Sequence, residues 1–124
     1  MEIFPEEVEL RGKVGQRYDN LLIDANLPEI TVPHVPSKST SVYAQYTILF
    51  PDRGDIREKL SEKNIPTVSY YTVPLHLQPV FSSLGHQKGE FPVTESVADQ
   101  CLSLPMSPYL SKSDQEQVIR TFAN

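Results

Sequence analysis

The chain has 124 residues, 39% of them hydrophobic and 22% charged, a composition that predicts a single globular domain over residues 1–124. Its formal net charge is −5 and its 11 basic residues are scattered, so we expect no nucleic-acid partner. No apolar run approaches the ~18–20 residues that cross a bilayer, and the N-terminus is acidic where a signal peptide is basic. With Cys101 as the single cysteine, these features predict a cytoplasmic protein without a membrane partner, a disulfide or a cysteine-based zinc site.

The first half of the chain combines one helical and one extended pattern. A helix is predicted over 5–25, where a proline and several glutamates suit the first turn and an approximate apolar stripe follows. Gly12 and Gly15 weaken this helix, so another element must pack against it. A proline-rich connector over 26–41 leads to a strand over 42–50, which is rich in β-branched and aromatic residues.

The second half begins with a helix that Asp52 or Asp55 caps and that runs to Lys63, followed by Asn64 in the left-handed conformation. The remaining predicted elements are a strand over 67–71, a loop-rich segment over 73–91 with a short helical turn at 78–84, a helix over 93–101, a strand over 102–104 and a helix over 113–122. Short strands separated by helices predict an α+β fold, a two-layer sandwich of helices on a small, mostly antiparallel sheet of about three strands.

Cap residues and buried faces are also predicted for the last two helices. Thr94 is the candidate cap of the helix over 93–101, on which Cys101 packs as an inert core thiol. Ser113 and Glu116 form a capping box at the start of the last helix. The apolar face of that last helix consists of Val118, Ile119 and Phe122.

A cluster of polar and aromatic residues is the first candidate for function, because two strands and the loop that follows bring it to one edge. Neutral donors and acceptors with one titratable ring suit the binding of a sugar or a nucleotide base. The alternative is that the tyrosines are half-buried sheet residues with hydrated hydroxyls. The cluster consists of Tyr43, Gln45, Tyr46, Tyr70, Tyr71, His76 and Gln78.

Other chemistry is not predicted. His34, His76 and His86 lack the spacing of metal ligands, so no metal site is expected. The chain has no nucleophile motif, no phosphate-binding glycine loop and no convincing carboxylate pair, and we assign no catalytic residue.

Three blocks of sequence resemble signatures of the DegT/DnrJ/EryC1/StrS family of nucleotide-sugar aminotransferases. The blocks are 41–48, 65–81 with its Pro-Leu-His-Leu-Gln-Pro core, and 102–110, which begins Leu-Ser-Leu-Pro. They keep the family's order and approximate spacing. Asn64 stands where the family often has glycine, and Tyr70 where it often has histidine or another polar residue; the second departure bears on substrate preference.

The resemblance implies the C-terminal small domain of a fold-type-I enzyme, with residues 1–26 as the end of the interdomain helix. Such enzymes use pyridoxal 5′-phosphate, and the closest resemblance is to members that transfer an amino group from glutamate to a UDP-linked 3-keto sugar for bacterial surface polysaccharide (lipopolysaccharide or O-antigen). None of the six lysines lies in the family's cofactor-lysine motif. The chain alone is therefore expected to be inactive and to bind no cofactor.

Carried over residue by residue, the resemblance implies that His76 and Tyr71 face the nucleotide-sugar cleft, with Tyr70 and Tyr43 as further candidates. Gln45 would brace its strand. Part of the apolar stripe over 5–25 would pack on the missing large domain, so a homodimer or other self-association is expected. The alternative hypotheses are a stand-alone module that binds a sugar nucleotide without catalysis, and a purely structural or interaction domain.

Overall fold

The computed structural model of the protein describes residues 4–123, apart from the side chain of Phe122. The predicted burial of Phe122 lies outside what is described. The described elements are α1 (Phe4–Asp24), β1 (Tyr46–Leu49), α2 (Arg53–Glu62), two 3-10 turns (Leu75–Leu77 and Pro79–Leu84), α3 (Pro92–Gln100), β2 (Cys101–Leu104) and α4 (Lys112–Ala123).

The α+β prediction is confirmed, but the described sheet has two strands instead of about three. β1 and β2 pair antiparallel, with Tyr46 opposite Leu104. The predicted strand over 67–71 contributes one isolated bridge, between Val68 and Ser103. Aromatic and β-branched residues fit a pleated, half-buried surface without enforcing one. Beyond this bridge the segment leaves the sheet, and Tyr71 adopts a positive φ of 60°.

The first predicted strand, over 42–50, is also shorter than expected and begins at Tyr46. Tyr43 has a φ of 43°, which takes the backbone out of the extended region before the strand starts. Side chains alternate within the strand, since Tyr46 and Ile48 are fully buried while Thr47 faces the opposite side of the sheet.

The core lies between the Tyr46 face of the sheet and helices α1, α2 and α4. The Tyr18 ring of α1 packs on Tyr46 with ring centroids 4.8 Å apart, and its hydroxyl donates to the Pro105 carbonyl at 2.9 Å. Gln115 of α4 is fully buried and donates from Nε2 to the Val14 carbonyl at 2.9 Å. These two hydrogen bonds tie α1 to the end of β2 and to α4.

Helix ends show which cap predictions were right. Asp52 caps α2 by accepting from the Asp55 N–H, and Asn64 has the predicted left-handed conformation, with a φ of 57°. Thr94 is not the cap of α3, because that helix begins at Pro92, so that Thr94 lies inside its first turn and Phe91 is the cap residue, with no side-chain cap.

The predicted capping box of the last helix is also wrong. Ser111 instead accepts from the Asp114 N–H at 3.1 Å, two residues before the predicted Ser113, while Glu116 pairs with Arg120 at 3.0 Å. Cys101 lies in β2 instead of at the end of the preceding helix. It is buried, as predicted.

The apolar stripe of α1 is largely used within this chain. Val14 and Tyr18 are fully buried against the chain's own core, whereas Phe4 is 60% exposed. Part of the stripe is therefore covered within this chain, and the contact of another part with a further domain stays a prediction. Across residues 4–123, no helix combines the length and apolar character needed to span a bilayer.

The two glycines of α1 differ in what surrounds them. A Cβ on Gly15 would lie 2.6 Å from the Tyr43 ring, whereas a Cβ on Gly12 would meet nothing within 4 Å. The close packing of Tyr43 on α1 thus requires glycine at position 15. No neighbouring atom requires glycine at position 12.

We therefore expect opposite effects from two matched substitutions. Gly15→Ala should lower the free energy of unfolding by about 1–3 kcal/mol through overpacking. Gly12→Ala should raise it by up to ~1 kcal/mol through helix propensity alone. Urea unfolding followed by circular dichroism measures both values. Equal effects of the two alanines would contradict the assigned role of Gly15.

Candidate functional site

A cleft of about 590 Å³ opens on the face of the sheet opposite the core. Apolar clefts that carry a few convergent polar groups are the usual form of a small-molecule site. Its walls come from the start of β1, the 70–78 segment and α3. The cleft is lined by Gln45, Thr47, Tyr70, Tyr71, Val73, Pro74, Leu75, Gln78, Val93, Thr94, Val97, Ala98 and Cys101.

Tyr70 and Tyr71, two neighbouring residues of the predicted polar cluster, both line the cleft. Their ring centroids are 6.4 Å apart, and they are 43% and 85% exposed. Both follow the Val68–Ser103 bridge, in which each residue donates its N–H to the other's carbonyl. The bridge fixes the chain just before Tyr70, and Gln45 and Gln78 also line the cleft.

Tyr71 combines exposure with a backbone conformation that is uncommon for a bulky residue. A left-handed φ of 60° on a tyrosine costs of the order of 1–3 kcal/mol. Such strain persists where the surrounding structure enforces it, and it concentrates at ligand sites. The conformation places an aromatic ring and a hydroxyl group in solvent beside the cleft.

Tyr43 and Tyr46, in contrast, lie away from the cleft. Tyr43 packs its ring on Gly15, stacks on Tyr46 at 5.9 Å, and accepts a hydrogen bond from Arg11 at its carbonyl. The Tyr46 hydroxyl donates to Asp19, and desolvation together with this carboxylate raises the pKa of Tyr46. Both rings belong to the packing of α1 on β1.

His76 is not among the residues that line the cleft, although its neighbours Leu75 and Gln78 are. Its side chain is only 9% exposed, and Nε2 lies 3.0 Å from Oε1 of Glu95. The imidazole packs on the Phe91 ring, with centroids 4.7 Å apart. The ring therefore lies behind the wall of the cleft.

Glu95 organises this region, and the sequence reasoning missed it. Besides contacting His76, its carboxylate accepts from the Gly89 N–H at 2.8 Å and from the Phe91 N–H at 3.3 Å. Desolvation raises the pKa of Glu95, but these N–H donors and His76 outweigh it and hold the pKa below its ordinary value of 4.5. The sequence signal that could have identified Glu95 is its position as an acidic residue in the first turn of a helix that begins with proline.

The donor set of the cleft is neutral. The residues lining it carry hydroxyl, amide, thiol and apolar side chains, and none is a lysine, an arginine or a carboxylate. Within residues 4–123 no three histidine, cysteine or acidic side chains are grouped to hold a metal ion. The cleft is thus equipped to bind and orient a polar molecule, and it holds no charged group for acid–base chemistry.

The strain at Tyr71 predicts an unusual stability result. Tyr71→Asn should leave the free energy of unfolding unchanged or raise it by about 1 kcal/mol, because asparagine tolerates the left-handed region and little buried surface is lost. Tyr70→Asn is the matched control. It should lower the value by about 1 kcal/mol, since Tyr70 is partly buried without that strain. Urea unfolding reports both, and an equal loss in the two variants would contradict the strain assignment.

The Glu95 contacts predict an acid-sensitive loop. A carboxyl group whose pKa is lowered by folding stabilises the native state above its unfolded pKa, and that contribution is lost as pH falls through the folded pKa. In NMR titrations we expect the Gly89 and Phe91 amide resonances to shift together, with a midpoint below pH 4.5. Because Glu90 lies between the two amides and its pKa is also lowered, the titration is followed in Glu90→Gln, where it should vanish when Glu95→Gln is added. A midpoint above 4.5 would mean that desolvation dominates.

Comparison with known proteins supplies the family. The sequence profile of the DegT/DnrJ/EryC1/StrS aminotransferase family matches residues 1–123. The chain is 40% identical over 115 residues to a pleiotropic regulatory protein of Geobacillus stearothermophilus, covering 93% of this chain and 31% of that protein. It is 35% identical over 124 residues to the UDP-2-acetamido-2-deoxy-3-oxo-D-glucuronate aminotransferase of Pseudomonas aeruginosa, covering 100% and 33%.

The fold agrees with this assignment. The crystal structure of a DegT/DnrJ/EryC1/StrS aminotransferase from Brucella abortus matches 97% of this chain and 31% of that one, with a TM-score of 0.85 at 38% identity. The chain spans about a third of the length of the relatives it matches. From its sequence and its fold, the chain belongs to the DegT/DnrJ/EryC1/StrS aminotransferase family.

Proposed function

We propose that this chain is the C-terminal small domain of a nucleotide-sugar aminotransferase. The whole enzyme would exchange the amino group of glutamate for the keto oxygen of a UDP-linked 3-keto sugar, in the synthesis of bacterial surface polysaccharide. Similarity over all 124 residues to an aminotransferase of a UDP-linked 3-oxo sugar supports the substrate class. The observation in the structure that carries the proposal is the neutral, tyrosine-edged cleft.

The residues of the cleft do not by themselves fit pyridoxal 5′-phosphate, the cofactor of the proposed enzyme. That cofactor takes a lysine for the Schiff base and an acidic or basic partner for its ring nitrogen, and its phosphate needs N–H or cationic donors. The cleft lining offers neither a lysine nor another charged side chain. We therefore place the Schiff-base lysine and the rest of the cofactor site outside these 124 residues, and propose that the chain alone is inactive.

The residues of this chain would bind and orient the substrate. Tyr71 presents an exposed ring and hydroxyl group, and Gln45 and Gln78 present amides on the same cleft. Neutral donors and acceptors match sugar hydroxyl groups, and the tyrosine ring offers an apolar face for a sugar or a base. Orientation of a bound substrate lowers the entropic part of the barrier without any proton transfer by these residues. Tyr70 belongs to the same surface, whereas Tyr43 would support the fold.

The test is an assay of the natural gene product, at whatever length it is made, in the reverse direction. UDP-linked 3-amino sugar and 2-oxoglutarate should give glutamate and the UDP-linked 3-keto sugar, followed by mass spectrometry. Tyr71→Ala should raise KM for the nucleotide sugar by about tenfold, corresponding to one lost hydrogen bond and one ring contact. Gly12→Ala is the control outside the cleft.

A second measurement uses the 124-residue chain itself. After incubation with pyridoxal phosphate and reduction with borohydride, we expect no stoichiometric label on any of its six lysines. Specific labelling of one lysine would overturn the placement of the Schiff base outside the chain.

Saturable binding of the nucleotide sugar by a natural protein that shows no turnover would instead support the alternative, a sugar-nucleotide binding module. A natural protein that is monomeric at all concentrations would contradict the expected homodimer.

A further inference from the structure

The cleft has two walls that come from separate parts of the chain. One wall is the Leu75–Leu77 turn with Gln78 after it, and the other is the face of α3 that carries Val93 and Val97. Neither wall belongs to the β1–β2 ladder, so the sheet alone does not determine the distance between them. What joins the walls therefore determines the shape of the cleft.

A contact between His76 and Glu95 joins the walls from behind. His76 lies between the cleft residues Leu75 and Gln78, and Glu95 follows the cleft residue Thr94 on α3. Their side chains are 9% and 12% exposed, and their polar atoms are 3.0 Å apart. Because water has little access to this pair, loss of Glu95 would take from the shielded His76 Nε2 its carboxylate partner, and loss of His76 would release the turn from Glu95.

The carboxylate is itself held in place. Both oxygens of Glu95 accept from the Gly89 N–H, at 2.8 and 2.9 Å, and one also accepts from the Phe91 N–H. Gly89 has a φ of 97°, which glycine adopts without strain. The 85–91 loop therefore orients Glu95, and Glu95 in turn orients His76.

We propose that His76 and Glu95 are positioning residues that clamp the Leu75–Leu77 turn to α3 and so set the width of the cleft. His76 acts through the wall and makes no contact with the ligand. The consequence for nucleotide-sugar binding rests on the proposed function, whereas the effect on cleft geometry does not.

Cys101 provides a ligand-independent probe of the clamp. It is the only cysteine, it lines the cleft, and it is 6% exposed. Opening of the walls should therefore expose its thiol. We expect His76→Ala and Glu95→Ala each to accelerate the reaction of Cys101 with a thiol reagent by at least about tenfold in the absence of denaturant, through local opening. The double variant should react no faster than the quicker single variant, because one contact is lost in all three.

Three further variants separate the clamp from simple destabilisation. His76→Gln retains a side-chain N–H donor and should restore a rate within about threefold of the original, since one hydrogen bond is regained. Lys59→Ala removes the Lys59–Asp55 pair of α2, whose side chains are 41% and 51% exposed and line no part of the cleft, and should leave the rate unchanged. Gly15→Ala lowers global stability from α1 and gives the rate expected from unfolding alone.

The clamp would be overturned if Cys101 reacted in His76→Ala and Glu95→Ala at the rate found in Gly15→Ala at equal stability. It would also be overturned if His76→Gln did not restore the protection of the Cys101 thiol. If an alanine variant does not fold, Glu95→Gln replaces it, with an intermediate rate expected and an unchanged rate counting against the proposal. In the natural enzyme the clamp predicts a raised KM with little change in kcat for His76→Ala. If the natural protein showed no transaminase activity, the proposed function would be refuted, whereas the test of the clamp by the reactivity of Cys101 would keep its meaning.

Discussion

The antiparallel pairing of β1 with β2 is the interaction on which the rest of the structure depends. Thr47 and Ser103 lie opposite each other although they are 56 residues apart in sequence, and their hydroxyl oxygens are 2.8 Å apart. A two-stranded ladder is marginal in water unless other elements cover it. Here three helices bury one face, with Tyr46 and Ile48 at the centre of the contact, and single bridges at Thr31 and Val68 extend the two edges.

The same pairing builds the cleft on the opposite face. It places Thr47 on the same face as Cys101, which follows the α3 helix, while Ser103 pairs with Val68 and thus holds the chain that leads to Tyr70. The hydroxyl pair of Thr47 and Ser103 faces away from the core. In the core, a hydroxyl group buried without a hydrogen-bond partner would be costly. One ladder therefore separates a structural face, made of apolar side chains and two buried tyrosines, from a binding face with neutral polar groups and a strained, exposed tyrosine.

Much of the local structure was predictable because its causes are local. The start of α2 at Asp52, the left-handed Asn64 and the inward alternation of Tyr46 and Ile48 follow from capping, backbone conformation and side-chain periodicity. The missed features are long-range ones. Tyr43 and Tyr71 leave the extended region despite strand-like neighbours, and local propensity does not predict this. The Tyr43 ring packs on Gly15, and Tyr71 follows the Val68 bridge. Ser111, and not the predicted Ser113, caps α4, because the position at which a helix begins depends on the path of the loop before it and not on the capping-box motif alone.

The sequence by itself determined the α+β class, most helix positions and the family resemblance, since periodicity and motif order are properties of the chain. The tertiary structure alone decided which polar residues share a surface. In the folded chain the Tyr43 ring packs on Gly15 of α1, and His76 contacts Glu95 behind the cleft wall. The physical reason is that a side chain's role depends on its partners, and these partners come together only when β1 and β2 pair across the intervening chain.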